Sequence, residues 1–349
     1  MKEVNNRSVW ADNMRMIATI AVIIVHVATP AVFTQFKPQT NANNIVWWVG
    51  NVYGSVFRFC VPVFVMLTGA LLLPYQLTLG EFLKKRLNRI LLPFLFWTIV
   101  YILFNLGLKI RNEGSASTLA NILPWIINQL MNGAAPHLWY VYMIVGLYLF
   151  IPIVQPFISN ATNKTIVFYL VIWLLALLIN QLQVTTAFDL RYFTGYLGYL
   201  ILGYFLAHRV NITLPTLYAA VFLLLSGCMI TIAGTYTGTH SKGVFVHRYY
   251  EYLTVNVLFT SVGVFVLIKK LLSGNYPALA PFREFISRYG YGIYLSHLLV
   301  ISLLAHFNIN YSLVTPVAGI LLTTFICLAC SSALVYIINK LPYGKYISG

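Results

Sequence analysis

Long apolar runs separated by short polar segments dominate the sequence. About ten of these runs are long enough to cross a bilayer as helices, since a transmembrane helix needs roughly 20 mostly apolar residues. They cover approximately residues 10–34, 46–74, 91–109, 138–158, 165–182, 191–208, 214–235, 250–271, 285–306 and 314–339. The pattern therefore predicts an all-α fold, a polytopic transmembrane helix bundle of about ten spans. The first run is too long for a cleavable signal peptide, so we expect it to remain as a span.

Two further stretches mix apolar and polar residues at helical spacing. They are TLGEFLKKRLNRI at 78–90 and STLANILPWIINQLMN at 117–132. A helix with one apolar and one polar face is suited to the plane of the membrane surface. We therefore expect one or two interfacial amphipathic helices, which precede the third and fourth spans.

The composition excludes a soluble protein. Charged residues make up 8% of the chain, against about a quarter in soluble domains, and the mean hydropathy is +0.80. The net charge of +15 does not indicate a nucleic-acid partner, because the basic residues are spread over short loops. The four cysteines lie in apolar runs without metal-ligand spacing. We expect a single integral membrane domain over 1–349, no separate soluble domain, no metal and no nucleic acid.

The positions of lysine and arginine predict the orientation of the spans. An even number of spans places both termini on one side of the membrane, and most of the basic residues fall on that same side. Cytoplasmic loops are enriched in Lys and Arg. Both termini are therefore predicted to be cytoplasmic.

The first span carries ionisable residues that are costly inside a bilayer. Arg15 and His26 are 11 residues apart, which places them on one helix face about 16 Å apart. Asp12 precedes Arg15 by three residues and is expected to pair with it. A shared face favours a joint functional role. The alternatives are a positive-inside anchor for Arg15 and a buried packing histidine for His26.

A second arginine, Arg58, lies well inside the second span, shortly before Pro62. A guanidinium cannot lose its charge, so it needs an anionic partner or a wet cavity. The proline frees a backbone carbonyl and permits a kink. Because acidic residues in or near the spans are few, a cavity visited by an anionic ligand is favoured over a structural ion pair.

Three other segments carry candidate functional residues. Arg86 and Arg89 form an Arg-x-x-Arg pair at the predicted inner surface, suited to phosphate groups or to lipid headgroups. His137 and Trp139 begin the fourth span from the outer side, where an aromatic belt explains the tryptophan but not the histidine. His297 lies about halfway or further across the ninth span, and its alternative role is packing.

In this order, five segments resemble the acyltransferase-3 family of integral membrane proteins. They are WADNMRMIATIAVIIVH with its Arg-x10-His motif, RFCVPVFVMLTGALLL, EFLKKRLNRILLPFLFW, HLWYVYMIVGLYLFIPIV and YGIYLSHLLV. The resemblance covers nearly the whole chain. One departure is Met16, where many members have glycine after the arginine. Another is that no hydrolase-like soluble domain follows the spans.

The resemblance implies transfer of an acyl group, usually acetyl, from cytosolic acyl-CoA to a hydroxyl of a lipid-linked or surface polysaccharide in the bacterial inner membrane. It implies that His26 is catalytic and that Arg15, Arg86 and Arg89 engage acyl-CoA. The expected partners are acyl-CoA as donor substrate, a glycan acceptor and membrane lipid, with no bound cofactor.

The chemistry of the residues agrees with this implication. A neutral imidazole suits a general base, which a poorly nucleophilic sugar hydroxyl needs. Arg58 suits the negative charge that develops on a thioester carbonyl, and Asp12, His137, Trp139 and His297 are expected in the cavity or on the acceptor side. A transient acyl-enzyme on His26 or a tyrosine is an alternative route. A glycan transporter or flippase without acyl transfer is the alternative function, although no two related halves are visible.

Overall fold

The structure is a computed structural model and describes residues 8–34, 44–75, 79–114, 121–183, 195–274 and 276–349. These residues form helices and contain no strand. In chain order the helices are α1 (Val9–Thr34), α2 (Ile45–Val56), α3 (Cys60–Leu72), α4 (Leu79–Glu113), α5 (Ile122–Asn132), α6 (Trp139–Asn160), α7 (Asn163–Leu182), α8 (Leu197–His208), α9 (Leu214–Lys242), α10 (Val255–Leu271), α11 (Ala280–His306), α12 (Pro316–Lys340) and α13 (Gly344–Ile347).

The predicted all-α polytopic bundle is confirmed, with a smaller number of clear spans. Within the described ranges, eight helical segments are long and apolar enough to cross a membrane. The predicted span at 191–208 is represented by α8, which has 12 residues and is therefore only about 18 Å long; residues 191–194 lie outside the described residues. The predicted span at 285–306 belongs to α11, whose N-terminal half carries Arg283, Glu284 and Arg288 and which is not among the eight.

Of the two predicted amphipathic helices, only the second is a separate helix in the structure. Residues 79–90 do not form a separate interfacial helix, because they are the first part of the continuous 35-residue helix α4. Pro93 lies inside α4 shortly after this stretch, and the helix continues through it to Glu113. The second stretch does contain a short separate helix, α5, in which no residue is buried.

Helix α1 lies at the centre of the bundle. It packs against α2, α3, α10, α11 and α12, and most of its residues between Ala11 and Val32 are buried. The polar side chains within this buried stretch therefore face other protein or an internal space rather than lipid.

Of the irregular backbone segments between the helices, three carry polar or aromatic residues that are described below. The chain turns at 57–59 between α2 and α3, forms a short 3-10 helix at Pro136–Leu138 before α6, and forms another at His247–Tyr250 before α10. Non-helical backbone at membrane depth is tolerated only where it is buried in protein or lines a cavity. These segments therefore indicate where a polar site can be built.

Two glycines allow α3 and α8 to approach each other backbone to backbone. A Cβ on Gly69 would clash with the carbonyl oxygen of Leu200, and one on Gly203 would clash with that of Met66. Small residues at such crossings are typical of membrane helices, which gain stability from close van der Waals packing.

We expect Gly203→Ala to lower the free energy of unfolding by about 1–3 kcal/mol, the usual cost of overpacking. Thermal unfolding in detergent measures the change. The matched control is Gly146→Ala, since a Cβ there meets no atom within 4 Å. Equal melting temperatures for the two variants would contradict the close α3–α8 contact.

Candidate active site

The first group of the site is an acidic residue shared by two helices. Asp12 on α1 is 2% exposed, and its Oδ1 accepts hydrogen bonds from Arg15 Nη1 at 2.7 Å and from Ser287 Oγ at 2.6 Å. The predicted Asp12–Arg15 pair is therefore present. Through Ser287 the same carboxylate also ties α1 to α11, and it holds the Arg15 guanidinium at this end of the bundle.

His26 lies further along α1 and faces an internal space. Its side chain is partly accessible, whereas its neighbours Val25 and Val27 are each 3% exposed. Since α1 is enclosed by five helices, this accessible surface belongs to a chamber inside the bundle.

Two other histidines meet His26 in this chamber. The ring centroid of His26 is 5.1 Å from that of His297 and 6.4 Å from that of His137, and the latter two are 4.9 Å apart. We call these three residues the histidine cluster. His137 is 1% exposed and His297 0%, so both rings are enclosed by protein.

The two buried histidines are fixed by backbone carbonyls of α11. His297 Nδ1 lies 2.5 Å from the carbonyl oxygen of Tyr294, and His137 Nε2 lies 3.2 Å from that of Leu295. A carbonyl oxygen only accepts, so these two ring nitrogens carry the hydrogens. Tyr294 also donates its hydroxyl to the carbonyl of His137. The cluster is therefore rigid at two of its three rings.

The cluster does not form a metal site as arranged. Within the described residues, no group of three or more His, Cys, Asp or Glu side chains is positioned to hold a metal ion.

Arg58 lies in the turn that separates α2 from α3, near the middle of the 28-residue segment Ile45–Leu72. Its Nε donates to the carbonyl oxygen of Tyr250 at 2.9 Å, and its Cζ lies 4.3 Å from the ring centroid of Tyr250 and 5.3 Å from that of Tyr252. No Asp or Glu pairs with it within the described part of the chain. The guanidinium also interacts electrostatically with the His26 ring, so the two proposed catalytic groups are neighbours.

Aromatic side chains surround the histidine cluster and Arg58. Tyr140 contacts Tyr294 at 5.4 Å between ring centroids, and Tyr294 contacts His297 at 5.7 Å. Trp139, which is 36% exposed, stacks on Tyr252 with 5.7 Å between centroids and 29° between planes. Trp139 is thus linked to Arg58 through one ring.

A basic cavity of about 980 Å³ opens at the end of the bundle near the start of α4. It is lined by four cationic residues, Lys84, Arg89, Arg288 and Lys345, and by Asn88, Asn339, Tyr289 and Tyr346 among others. Of the predicted donor-binding arginines, only Arg89 lines this cavity. Arg15 lies beside it through Ser287, the residue before Arg288.

Arg86 points elsewhere, toward the interior. Its Nε is buried and has no hydrogen-bond partner within the described residues. Tyr148 on α6 interacts electrostatically with Arg86, Arg89 and Arg15, and also with Tyr140 and Tyr291. Tyr148 therefore lies between the three arginines and the aromatic wall of the chamber.

Sequence reasoning missed several residues of the site. Arg288 and Lys345 were visible only as basic residues of the predicted inner side, and their role in one cavity depends on the packing of α11 and α13 against α4. Tyr250 and Tyr252 gave no signal, because an aromatic pair in an apolar run is typical of packing. They come close to Arg58 only through the tertiary packing of distant segments.

One of the comparisons with known proteins gives a match. A family model described as an acyltransferase domain matches residues 8–336. The chain belongs to this acyltransferase family, and with its apolar helices it is a multi-pass membrane acyltransferase. No curated protein and no solved structure matches the chain.

We expect Asp12→Ala to lower the thermal stability more than Ser287→Ala does. The first change removes the shared acceptor of Arg15 and Ser287, and hydrogen bonds to charged groups contribute about 1.5–3 kcal/mol each. The second removes one donor and leaves the Asp12–Arg15 pair in place. Melting temperatures in the same detergent, measured side by side, check the order, and a larger loss for Ser287→Ala would contradict it.

Proposed function

We propose that this membrane acyltransferase moves an acyl group, acetyl above all, from cytosolic acyl-CoA to a hydroxyl of a lipid-linked or surface polysaccharide. The observation that carries the proposal is the placement of His26. It is an accessible imidazole inside an enclosed chamber, beside a guanidinium without an acidic partner within the described chain and on the same helix as Arg15 at the basic end of the bundle.

In the proposed reaction the acceptor hydroxyl attacks the thioester carbonyl. His26 accepts the hydroxyl proton as the carbon–oxygen bond forms, and the carbonyl oxygen gains negative charge that Arg58 stabilises. The carbon–sulfur bond then breaks, and the proton on His26 passes to the departing thiolate. The products are the O-acyl ester and free CoA. A covalent acyl-enzyme on His26 or a tyrosine is the alternative order of the same events.

We assign the nucleotide end of the donor to the basic cavity. CoA carries several phosphates, and arginine binds phosphate oxygens through two parallel hydrogen bonds. The volume of about 980 Å³ lies at the upper end of the range of small-molecule sites, about 300–1,000 Å³. From Arg15 to His26 the distance along α1 is about 16 Å, which the long and thin pantetheine arm can bridge past Tyr148.

The orientation of the protein in the membrane and the class of acyl acceptor are part of the same proposal. The basic cavity takes a cytosolic donor only if this end of the bundle faces the cytoplasm, as the positive-inside rule predicts for both termini. The length and motif order also resemble those of the O-acetyltransferase of enterobacterial common antigen, which favours a glycan acceptor and the bacterial inner membrane. Trp139, with its accessible ring, is suited to the acceptor side.

A transporter or flippase of a glycan is the second candidate. The observation that favours it is the interrupted backbone at 57–59 and 136–138, because broken helices at the midplane are common in transporters. Dependence on acyl-CoA separates the two functions, since a transporter needs no acyl donor.

We expect His26→Ala to reduce acetyl transfer by at least about 100-fold, the contribution of a general base. Bacterial membranes that contain the wild type or the variant at equal levels are incubated with radiolabelled acetyl-CoA. The label in extracted lipid-linked glycans is counted before and after mild alkali. His306→Ala is the matched control, because His306 lies exposed at the end of α11.

Two results would reject this assignment. If His26→Ala transfers acetyl as the wild type does, His26 is a packing residue. If neither protein transfers label while loss of the protein lowers glycan export in cells, the transporter is the correct function.

A second prediction concerns the donor. We expect the double variant Arg288→Ala/Lys345→Ala to raise KM for acetyl-CoA by about 10-fold or more with little change in kcat, because it removes phosphate contacts far from the reacting carbon. The control is Lys164→Ala, an exposed lysine at the start of α7 that does not line the cavity. An unchanged KM in the double variant would show that the nucleotide binds elsewhere.

A further inference from the structure

The two buried members of the histidine cluster each present one nitrogen that the protein does not satisfy. His297 Nε2 and His137 Nδ1 are buried and have no hydrogen-bond partner within the described residues. The opposite nitrogens of both rings already donate to carbonyl oxygens of α11. The unsatisfied nitrogens are therefore lone-pair acceptors, and each needs a donor.

Both acceptors belong to rings that lie directly next to His26. The ring centroids are 4.9, 5.1 and 6.4 Å apart, so the three rings pack against one another. In an imidazole the two nitrogens point to opposite sides of the ring. Because Nδ1 of His297 and Nε2 of His137 are turned toward α11 carbonyls, the free nitrogens are turned away from those carbonyls.

The number and type of groups define what fits this position. Two lone pairs require two O–H or N–H donors, and neutral His26 offers one N–H and one lone pair. A hydroxyl group has a single hydrogen and satisfies only one of the buried acceptors. A water molecule has two hydrogens and can also accept one bond, and buried waters make about three hydrogen bonds.

We propose that the histidine cluster binds one water molecule that fixes the tautomer of His26. The water donates to His297 Nε2 and His137 Nδ1 and accepts the N–H of His26. The hydrogen of His26 is then held on the nitrogen that faces the water, and its other nitrogen keeps the lone pair that takes the acceptor proton. His297 and His137 are thus positioning residues that act through the water, and this role rests on the proposed function of His26 as general base.

The first test observes the tautomer itself and does not depend on activity. In protein labelled with nitrogen-15 histidine, the chemical shifts separate protonated from bare ring nitrogens, and His26→Gln identifies the His26 signals. We expect one tautomer at His26 in the wild type and a mixture of the two in His297→Leu. A mixture in the wild type, or an unchanged single tautomer in His297→Leu, would overturn the proposal.

The second test is kinetic and uses a conservative partner. We expect His297→Leu to lower kcat by about 10–100-fold, as loss of a group that orients a functional histidine does, with KM for acetyl-CoA unchanged. His297→Gln should recover most of the rate, because its amide oxygen accepts the water hydrogen. His306→Leu on the same helix should match the wild type. The same comparison with His137→Leu and His137→Gln covers the case in which His297→Leu fails to fold.

The outcomes separate this inference from the function on which it rests. If the wild type does not transfer acetyl, the proposed function fails, while the tautomer measurement still decides whether the water is bound. If the wild type is active and the leucine and glutamine variants lose equal activity, the positions matter only for packing and the inference fails. If His297→Leu raises the acceptor KM and leaves kcat unchanged, the position binds the acceptor hydroxyl, and the proposed water is wrong.

Discussion

The permanent charge of Arg58 is the constraint around which the interior is arranged. A guanidinium near the middle of a membrane-spanning segment cannot be neutralised by losing a proton, and within the described chain no carboxylate meets it. The structure stabilises it with a carbonyl oxygen from the irregular segment before α10 and with the faces of Tyr250 and Tyr252. These contacts require a break in α2–α3 on one side and non-helical backbone on the other. The buried charge therefore accounts for the helix breaks, and the breaks supply the groups that stabilise the charge.

Helix α1 connects the two ends of the proposed reaction. Its N-terminal turns hold Arg15 through Asp12, and its middle presents His26 to the chamber. Because the helix is rigid and enclosed by five others, the separation of these groups is set by helical rise and not by loop conformation. The histidines that complete the cluster come from the 3-10 helix before α6 and from α11, so the meeting of the three rings depends on how these segments pack around α1.

Part of this arrangement could be predicted from the sequence and part could not. Periodicity and composition were sufficient for the helical bundle, for the shared face of Arg15 and His26, and for the Asp12–Arg15 pair, since these depend on local geometry. The meeting of His26 with His137 and His297 depends on tertiary packing between distant segments, and hydropathy does not encode it. The continuous course of α4 through 79–90 was missed because an amphipathic start and an apolar continuation can belong to one helix. The cavity formed by Arg89, Arg288 and Lys345 likewise appears only when α4, α11 and α13 come together.

One oxygen of the Asp12 carboxylate accepts two hydrogen bonds at once, from Arg15 on α1 and from Ser287 on α11. In the proposed reaction the donor phosphates approach the Arg15 guanidinium, and Ser287 would then connect this end of the bundle to α11, which also carries His297. Any such linkage is reciprocal. An anion at Arg15 and a ligand at the histidine cluster would each change the affinity for the other by the same free energy.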